Sequence, residues 1–175
     1  MKKGMWMGIL VCLAMSVYGE SFTIKHDFKT MGSSRITYTD GNKTGTTDSV
    51  VYHCYKNATF GTYNGNVHIL MANRNDSVVT SKIEGLKWFQ FHYNTASAVD
   101  LYETISVKIS RDGSSWTDMS SAMNHGKNLI DIVIPRRGDY FVKIINTGSG
   151  ADKKFYLDII QWHIELCNCF EYIPE

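Results

Sequence analysis

The segment GLKWFQFHYN, residues 85–94, carries the side chains whose types and spacing best suit ligand binding. In an extended chain successive side chains point to opposite faces. One face is then purely aromatic and consists of Phe89, Phe91 and Tyr93. The other face carries Trp88, Gln90 and His92. A flat indole suits the apolar C–H side of a sugar ring, while amide and imidazole groups suit sugar hydroxyls.

This face therefore predicts a carbohydrate site, and two other interpretations stay open. A neighbouring loop or the C-terminal tail, with Phe170 and Tyr172, could cover Trp88. The same face could instead contact another protein. Exposure of Trp88 separates the interpretations, because a fully buried indole cannot contact a ligand.

A second set of aromatic, amide and cationic residues falls in or beside predicted loops. Its members are Tyr55, Tyr63, Asn64, Asn73, Arg74, Asn94 and Tyr102. Loops at the end of a rigid scaffold are frequent binding surfaces. The prediction is a second ligand-binding site at one end of the domain, with Tyr63, Asn64 and Arg74 as its main residues.

The sequence shows no set of residues that would make it an enzyme. It lacks His-Glu-x-x-His, Gly-x-Ser-x-Gly and a phosphate-binding Gly-Lys-Ser/Thr loop. Its six histidines are scattered along the chain. With 18 Lys plus Arg against 17 Asp plus Glu, the composition gives no electrostatic basis for a nucleic-acid partner. A non-catalytic binding protein is the better-supported class.

The elements that position these residues are predicted to be β-strands. Short alternating segments rich in β-branched and aromatic residues are separated by Gly, Asn, Asp and Ser clusters. The predicted strands are 35–40, 49–55, 66–73, 77–83, 85–94, 103–110, 128–135, 139–146 and 154–164. Asp112–Gly113 is a strong hairpin signal. We predict an all-β fold, a two-sheet antiparallel β-sandwich, in which Trp116 and Trp162 belong to the core.

The N-terminus has the layout of a secretory signal peptide. Lys2 and Lys3 precede an apolar run from Met5 to Val17, and Gly19 offers a small residue for cleavage. The run is too short to span a bilayer. We predict that residues 1–19 are removed, that no membrane insertion follows, and that residues 20–175 form one domain that is secreted, periplasmic or displayed at the cell surface.

If the chain is exported, its cysteines can form a disulfide. Cys12 leaves with the signal peptide, so Cys54, Cys167 and Cys169 remain in an oxidising compartment. We predict one disulfide, between Cys54 and either Cys167 or Cys169. This bond would fasten the C-terminal tail, residues 165–175, to the sandwich.

The order of motifs in the second half resembles a family of secreted jelly-roll modules. The motifs are TSKIEGLKWFQFHY (80–93), ISVKISRDGSSWTDM (105–119), LIDIVIP (129–135), GDYFVKIINTGSG (138–150) and FYLDIIQWHI (155–164). The family consists of galactose-binding-like and carbohydrate-binding modules of Bacteroidetes-type bacteria. The resemblance implies jelly-roll topology and a non-catalytic, carbohydrate-binding function. The alternatives are a structural or adhesive protein that binds a surface protein and, more distantly, a glycan-active enzyme.

The same resemblance implies one metal-site candidate. Some related jelly rolls hold a structural Ca²⁺ ion, and Asp27, Asp40 and Asp158 are the residues that could contribute oxygen ligands here. Ca²⁺ takes six to eight oxygens, so loop carbonyls would have to complete the site. No other cofactor is expected.

Overall fold

The computed structural model describes residues 21–28, 36–39, 42–47, 50–63, 66–95, 101–126, 128–150 and 153–165. These residues form thirteen antiparallel strands. The strands are β1 (Ser21–Asp27), β2 (Ile36–Thr39), β3 (Asn42–Thr47), β4 (Val50–Tyr55), β5 (Thr59–Tyr63), β6 (Asn66–Met71), β7 (Ser77–Thr80), β8 (Ile83–Thr95), β9 (Ile105–Ser110), β10 (Thr117–Asp118), β11 (Met123–Gly126), β12 (Leu129–Asn146) and β13 (Phe155–Glu165). None of the described residues belongs to a helix with the length and apolar character needed to cross a membrane.

Two sheets share the long strand β12. The front sheet runs from β11 through the first part of β12 to β8 and β13, and β13 then pairs with both β1 and β6, the latter extended by β5. The back sheet runs from β2 through β3, β4 and β7 to the last part of β12, followed by β9 and β10. This arrangement confirms the predicted all-β, antiparallel sandwich of the jelly-roll type.

The core lies between the inner faces of the two sheets. Phe89, Phe91 and Tyr93 are fully buried there, as their alternation predicts. Trp162 is also fully buried, and its indole N–H points at His26 Nδ1 (3.1 Å) and the Tyr52 hydroxyl (3.2 Å). The polar edge of the largest core side chain is thus hydrogen-bonded, as a buried indole requires.

The other tryptophan assigned to the core lies elsewhere. Trp116 is half-buried at the outer face of the back sheet, where Lys143 Nζ is 5.5 Å from its ring centroid. The physical reason is strand parity. Lys143 alternates with the buried Val142 and Ile144, so a ring that contacts Lys143 is on the solvent side.

Backbone irregularities cluster around the part of β8 that carries Trp88. The register shifts on the β12 side between Val133 and Gly138, and on the β13 side between His163 and Ile164. Gly85 has φ +64°, and a Cβ there would lie 2.5 Å from the Glu165 carbonyl oxygen, so only glycine fits. Bulges of this kind increase local twist and re-aim side chains, often beside binding sites.

The β9–β10 hairpin predicts a measurable pH dependence of stability. Asp112 Oδ1 accepts hydrogen bonds from the backbone N–H of Ser115 (2.7 Å) and Ser114 (2.8 Å) and from the Ser110 hydroxyl (2.9 Å). These bonds, Ser115 first, hold the pKa of Asp112 well below its ordinary value. A depressed pKa adds stability above the unfolded pKa of about 4, and this contribution is lost as pH falls below it.

The corresponding experiment compares the Tm of the wild type and Asp112→Ala across pH. We expect the variant to melt lower at neutral pH, and the difference to shrink as pH falls from about 4 to about 2. Subtraction of the two curves removes the contribution of other carboxylates. A Tm difference that stays constant over that range would contradict the assigned role of the Asp112 carboxylate.

Candidate functional site

The outer face of the front sheet brings together aromatic and polar residues from three neighbouring strands. Cross-strand pairing aligns Val133, Trp88 and His163 in one row, and Asp131, Gln90 and Gln161 in the next. We call these six residues the platform. Each alternates with a buried core residue, such as Ile132, Phe89 or Trp162, which fixes the direction of its side chain.

Trp88 is half-buried and is held from one side. Its ring stacks on the His163 imidazole, with ring centroids 5.1 Å apart and planes 9° from parallel. His163 Nδ1 is in turn 3.1 Å from the Thr23 hydroxyl on β1. The indole therefore keeps exposed surface in a restrained orientation, which satisfies the condition for a ligand contact.

A groove of about 270 Å³ lies beside Trp88, between β8 and β12. It is lined by Trp88, Gln90, Asp131, Ile132 and Val133. Val133 is 55% exposed, although it lies directly across from Trp88. The surface that lines the groove is predominantly apolar, as it is in most small-molecule binding sites.

The polar side chains of the platform differ in whether they already have hydrogen-bond partners within the protein. Gln90 Nε2 donates a hydrogen bond to Gln161 Oε1 at 2.6 Å, so each amide orients the other. Within the described part of the chain, no side-chain hydrogen bond or ion pair reaches the Asp131 carboxylate. Asp131 thus lines the groove with a carboxylate that has no hydrogen-bond or ion-pair partner among the described residues.

His92 and Asp158 lie further along the same face. His92 is flanked by Leu129 and Ile159 and does not line the groove. Asp158 occupies a bulge in β13, accepts a hydrogen bond from Asn94 Nδ2 (3.2 Å) and lies 3.4 Å from His68 Nδ1. The structure therefore joins Trp88 and Gln90 in one groove and leaves His92 beside it.

The calcium prediction is only partly covered by the described residues. Asp40 and the side chain of Asp27 lie outside them. Among the residues that the structure describes, no three His, Cys, Asp or Glu side chains group as metal ligands do. Asp158 contacts two nitrogen-bearing side chains, and the calcium site stays a prediction.

The second predicted site is divided between different parts of the sandwich. Tyr63 ends β5 at the tip of the β5–β6 hairpin, while Arg74 is an exposed residue of the turn after β6, at the opposite end of that strand. Asn64 and the side chain of Tyr63 lie outside the described residues. The structure does not bring Tyr63 and Arg74 together.

The predicted disulfide also extends beyond the described residues. Cys54 is buried on β4, while Cys167 and Cys169 are outside the described range. The pairing of Cys54 with either residue stays a prediction. The same applies to the signal peptide, residues 1–19, and to the tail.

Sequence reasoning did not identify four platform residues: Asp131, Val133, Gln161 and His163. A usable signal exists in FYLDIIQWHI, where Gln161 and His163 flank the core residue Trp162 and mirror the alternation of Trp88 and Gln90 about Phe89. Asp131 is likewise the one charged residue of LIDIVIP. Only the register between strands shows that these residues meet.

The chain is similar to several known proteins in structure, but no match was found from its sequence. No family model and no curated protein matches the chain. A family two carbohydrate esterase from Cellvibrio japonicus is similar over 84% of this chain, at 10% identity and a TM-score of 0.48, and the chain spans 35% of that protein. A low-affinity xylan-binding module from Roseburia intestinalis is similar over 82% of this chain and 95% of its own, at 13% identity and a TM-score of 0.45.

A third structure is the K2 cleaved adhesin domain of Lys-gingipain. It is similar over 81% of this chain and 99% of its own, at 13% identity and a TM-score of 0.47. The three proteins are an enzyme, a binding module and an adhesin domain. The function of this chain has to be argued from its own residues.

Proposed function

We propose that the chain is a non-catalytic binding module for uncharged glycans and that the platform is its binding face. The observation that carries the proposal is the groove beside Trp88, where a restrained, partly exposed indole lies next to an Asp131 carboxylate that the described fold does not use. An aromatic ring supplies contact area at little cost in conformational entropy, and a carboxylate accepts hydrogen bonds from hydroxyl groups.

The arrangement supports one orientation of the sugar. His163 packs on the β13 side of Trp88, so the groove on the β12 side is the place for a sugar ring. The hydroxyl groups of that ring would face Asp131 and Gln90, and its C–H face would contact Trp88 and Val133. A negatively charged Asp131 disfavours acidic sugars by like-charge repulsion, which is why the proposal specifies an uncharged glycan.

The proposal includes export of the chain by the predicted signal peptide, which would place the platform outside the cell, where polysaccharides are met. It is a non-catalytic function, since the platform has one carboxylate, Asp131, and no Ser, Thr, Cys or Lys that could act as a nucleophile. A structural or adhesive protein that binds a surface protein is the alternative, and it would use the same exposed face without affinity for glycans.

The test is a binding screen against neutral polysaccharides, followed by titration of the tightest ligand with Asp131→Ala. A hydrogen bond to a charged group contributes about 1.5–3 kcal/mol, so the variant should bind about tenfold more weakly or worse. Its folding should be unchanged, because the Asp131 side chain makes no hydrogen bond or ion pair among the described residues. Glu84→Ala, which removes an exposed acid from the neighbouring strand β8 outside the groove, is the matched control.

Two outcomes would contradict the proposal. A wild-type protein that retains none of the neutral polysaccharides has no glycan-binding function of this kind. An Asp131→Ala variant with wild-type affinity would show that the ligand binds away from the groove.

A further inference from the structure

A second groove, of about 580 Å³, lies on the outer face of the back sheet, on the side of the sandwich away from the platform. Tyr55 and Lys56 form one wall, where β4 ends and the following turn begins. Val79 of β7 and Lys143 and Ile145 of β12 form the floor, and Asn75 closes one side. Its volume is within the range of ordinary ligand pockets.

The groove is positively charged. Its lining includes two lysines and no acidic residue. In the part of the chain that the structure describes, neither Lys56 nor Lys143 has a carboxylate within ion-pair distance. Lys56 is exposed and Lys143 is half-buried, and both border the apolar side chains of Val79 and Ile145, so an anionic group would meet two positive charges beside apolar surface.

Lys108, the neighbouring lysine of the back sheet, does not add to the positive charge of the groove. Lys108 lies across from Lys143 on one side and from Asp118 on the other. Hydrogen bonds from Ser120 and the charge of Lys108 lower the pKa of Asp118. Lys108 is thus opposed by a carboxylate, and the net positive charge is concentrated at Lys56 and Lys143.

The structure fixes the side chain of Lys143 and the backbone at Lys56. Lys143 Nζ lies 5.5 Å from the Trp116 ring centroid, an arrangement that restrains its long side chain. Lys56 has φ +60° in a turn closed by a hydrogen bond from Ala58 N–H to the Tyr55 carbonyl (3.2 Å). Tyr55 is 40% exposed and lines the groove.

We infer that this groove binds a carboxylate-bearing saccharide, with Lys56 and Lys143 on the carboxylate and with Tyr55, Val79 and Ile145 on the apolar face of the ring. The combination matters, because a purely ionic site needs no apolar floor and a neutral-sugar site needs no lysine pair. The inference goes beyond the proposed function, since it concerns a different sheet, different residues and a ligand of opposite electrostatic character.

A nucleic acid is the other polyanion to consider, and the structure favours the saccharide. Nucleic-acid grooves need a series of cations along a backbone, whereas the chain has a formal net charge of +1 and this groove has two lysines. Two cations suit the single carboxylate of an acidic sugar residue.

The experiment titrates the full chain with polygalacturonic acid and with its carboxyl-reduced, uncharged form. We expect the acidic polymer to bind and the reduced polymer to bind about tenfold more weakly or not at all, because a hydrogen bond to a charged group contributes about 1.5–3 kcal/mol. Lys56→Met combined with Lys143→Met should weaken binding of the acidic polymer by about 100-fold. Lys82→Met removes the same charge from a solvent-exposed position outside the groove and is the matched control.

Two further readouts distinguish this site from the platform. Binding of the acidic polymer should weaken steeply as ionic strength rises to about 1 M, where the Debye length is about 3 Å. In nuclear magnetic resonance spectra, the polymer should shift the Trp116 indole N–H signal, because Trp116 lies beneath Lys143. These readouts do not depend on whether the platform binds a neutral glycan.

Three results would overturn the inference. They are undiminished binding of polygalacturonic acid to the double lysine variant, equal binding of the acidic and reduced polymers to a Trp88→Ala chain, whose platform lacks its aromatic contact, and binding of a single-stranded DNA of matched charge as tightly as the polygalacturonic acid. If the neutral-polysaccharide screen of the platform fails, all three of these tests of the second groove can still be carried out and interpreted.

Discussion

Replacement of Trp88 with alanine is expected to raise the Kd for the neutral glycan by about 30-fold or more. Truncation of an aromatic side chain that anchors a binding site costs about 2 kcal/mol or more. The indole is the largest lining group of the groove, and its stacking on His163 fixes its orientation before a ligand arrives. A preorganised ring loses little entropy on binding, so most of its contact energy appears as affinity. Isothermal titration calorimetry of wild type and variant measures the change.

Two matched variants separate the loss of the ring from damage to the fold. Trp88→Phe keeps a smaller aromatic ring and should lose less affinity than Trp88→Ala. Phe22→Ala removes another exposed aromatic side chain from the same sheet, 40% exposed on β1 and outside the platform, and should bind like wild type. Unchanged affinity in Trp88→Ala would move the glycan site away from the front sheet.

Replacement of Asp76 with alanine is expected to lower the free energy of unfolding by about 3 kcal/mol. Asp76 is fully buried and accepts hydrogen bonds from the backbone N–H groups of Asn73 (2.8 Å), Ala72 (3.0 Å) and Asn57 (3.1 Å). Each buried donor that loses its partner costs about 1–3 kcal/mol. Denaturant unfolding measures this change as a lower midpoint at an unchanged slope.

Asp76 also lies at a junction of backbone hydrogen bonds, whose segments its carboxylate holds in place. Its carbonyl accepts the Asn146 N–H at 2.9 Å, and the adjacent Asn75 N–H donates to the Asn146 carbonyl at 2.6 Å. One residue thereby connects three loops at this end of the sandwich. Asp76→Asn retains one acceptor oxygen and should lose less stability than Asp76→Ala. Equal stability of wild type and the alanine variant would show that water replaces the carboxylate.

The sequence predicts the strands well where a strand buries one face. The clean alternation of Ile105, Val107 and Ile109 predicts β9, and that of Phe89, Phe91 and Tyr93 predicts β8. The predicted segments 128–135 and 139–146 are one strand, β12, because the chain continues through Gly138 and changes from the front to the back sheet. A Pro-Arg-Arg-Gly segment reads locally as a turn, and only tertiary pairing shows otherwise.

The candidate site is less predictable, because its residues meet through register rather than through sequence spacing. Trp88 and Gln90 could be selected from one strand by residue type. Their partners His163 and Gln161 are more than seventy positions away and become neighbours through the β8–β13 pairing. The bulge at Asp158 shifts that register by one residue, which no local pattern indicates.

The central claim is that the Trp88 groove binds an uncharged glycan, and the indole N–H signals of the chain test it most directly. The sequence has four tryptophans, of which Trp6 lies in the predicted signal peptide, and single Trp→Phe variants assign the indole signals of Trp88, Trp116 and Trp162. On titration with the neutral glycan we predict that the Trp88 signal shifts in a saturable manner, while the signal of the buried Trp162 stays in place. A saturable shift of the Trp116 signal with an unmoved Trp88 signal would contradict the claim.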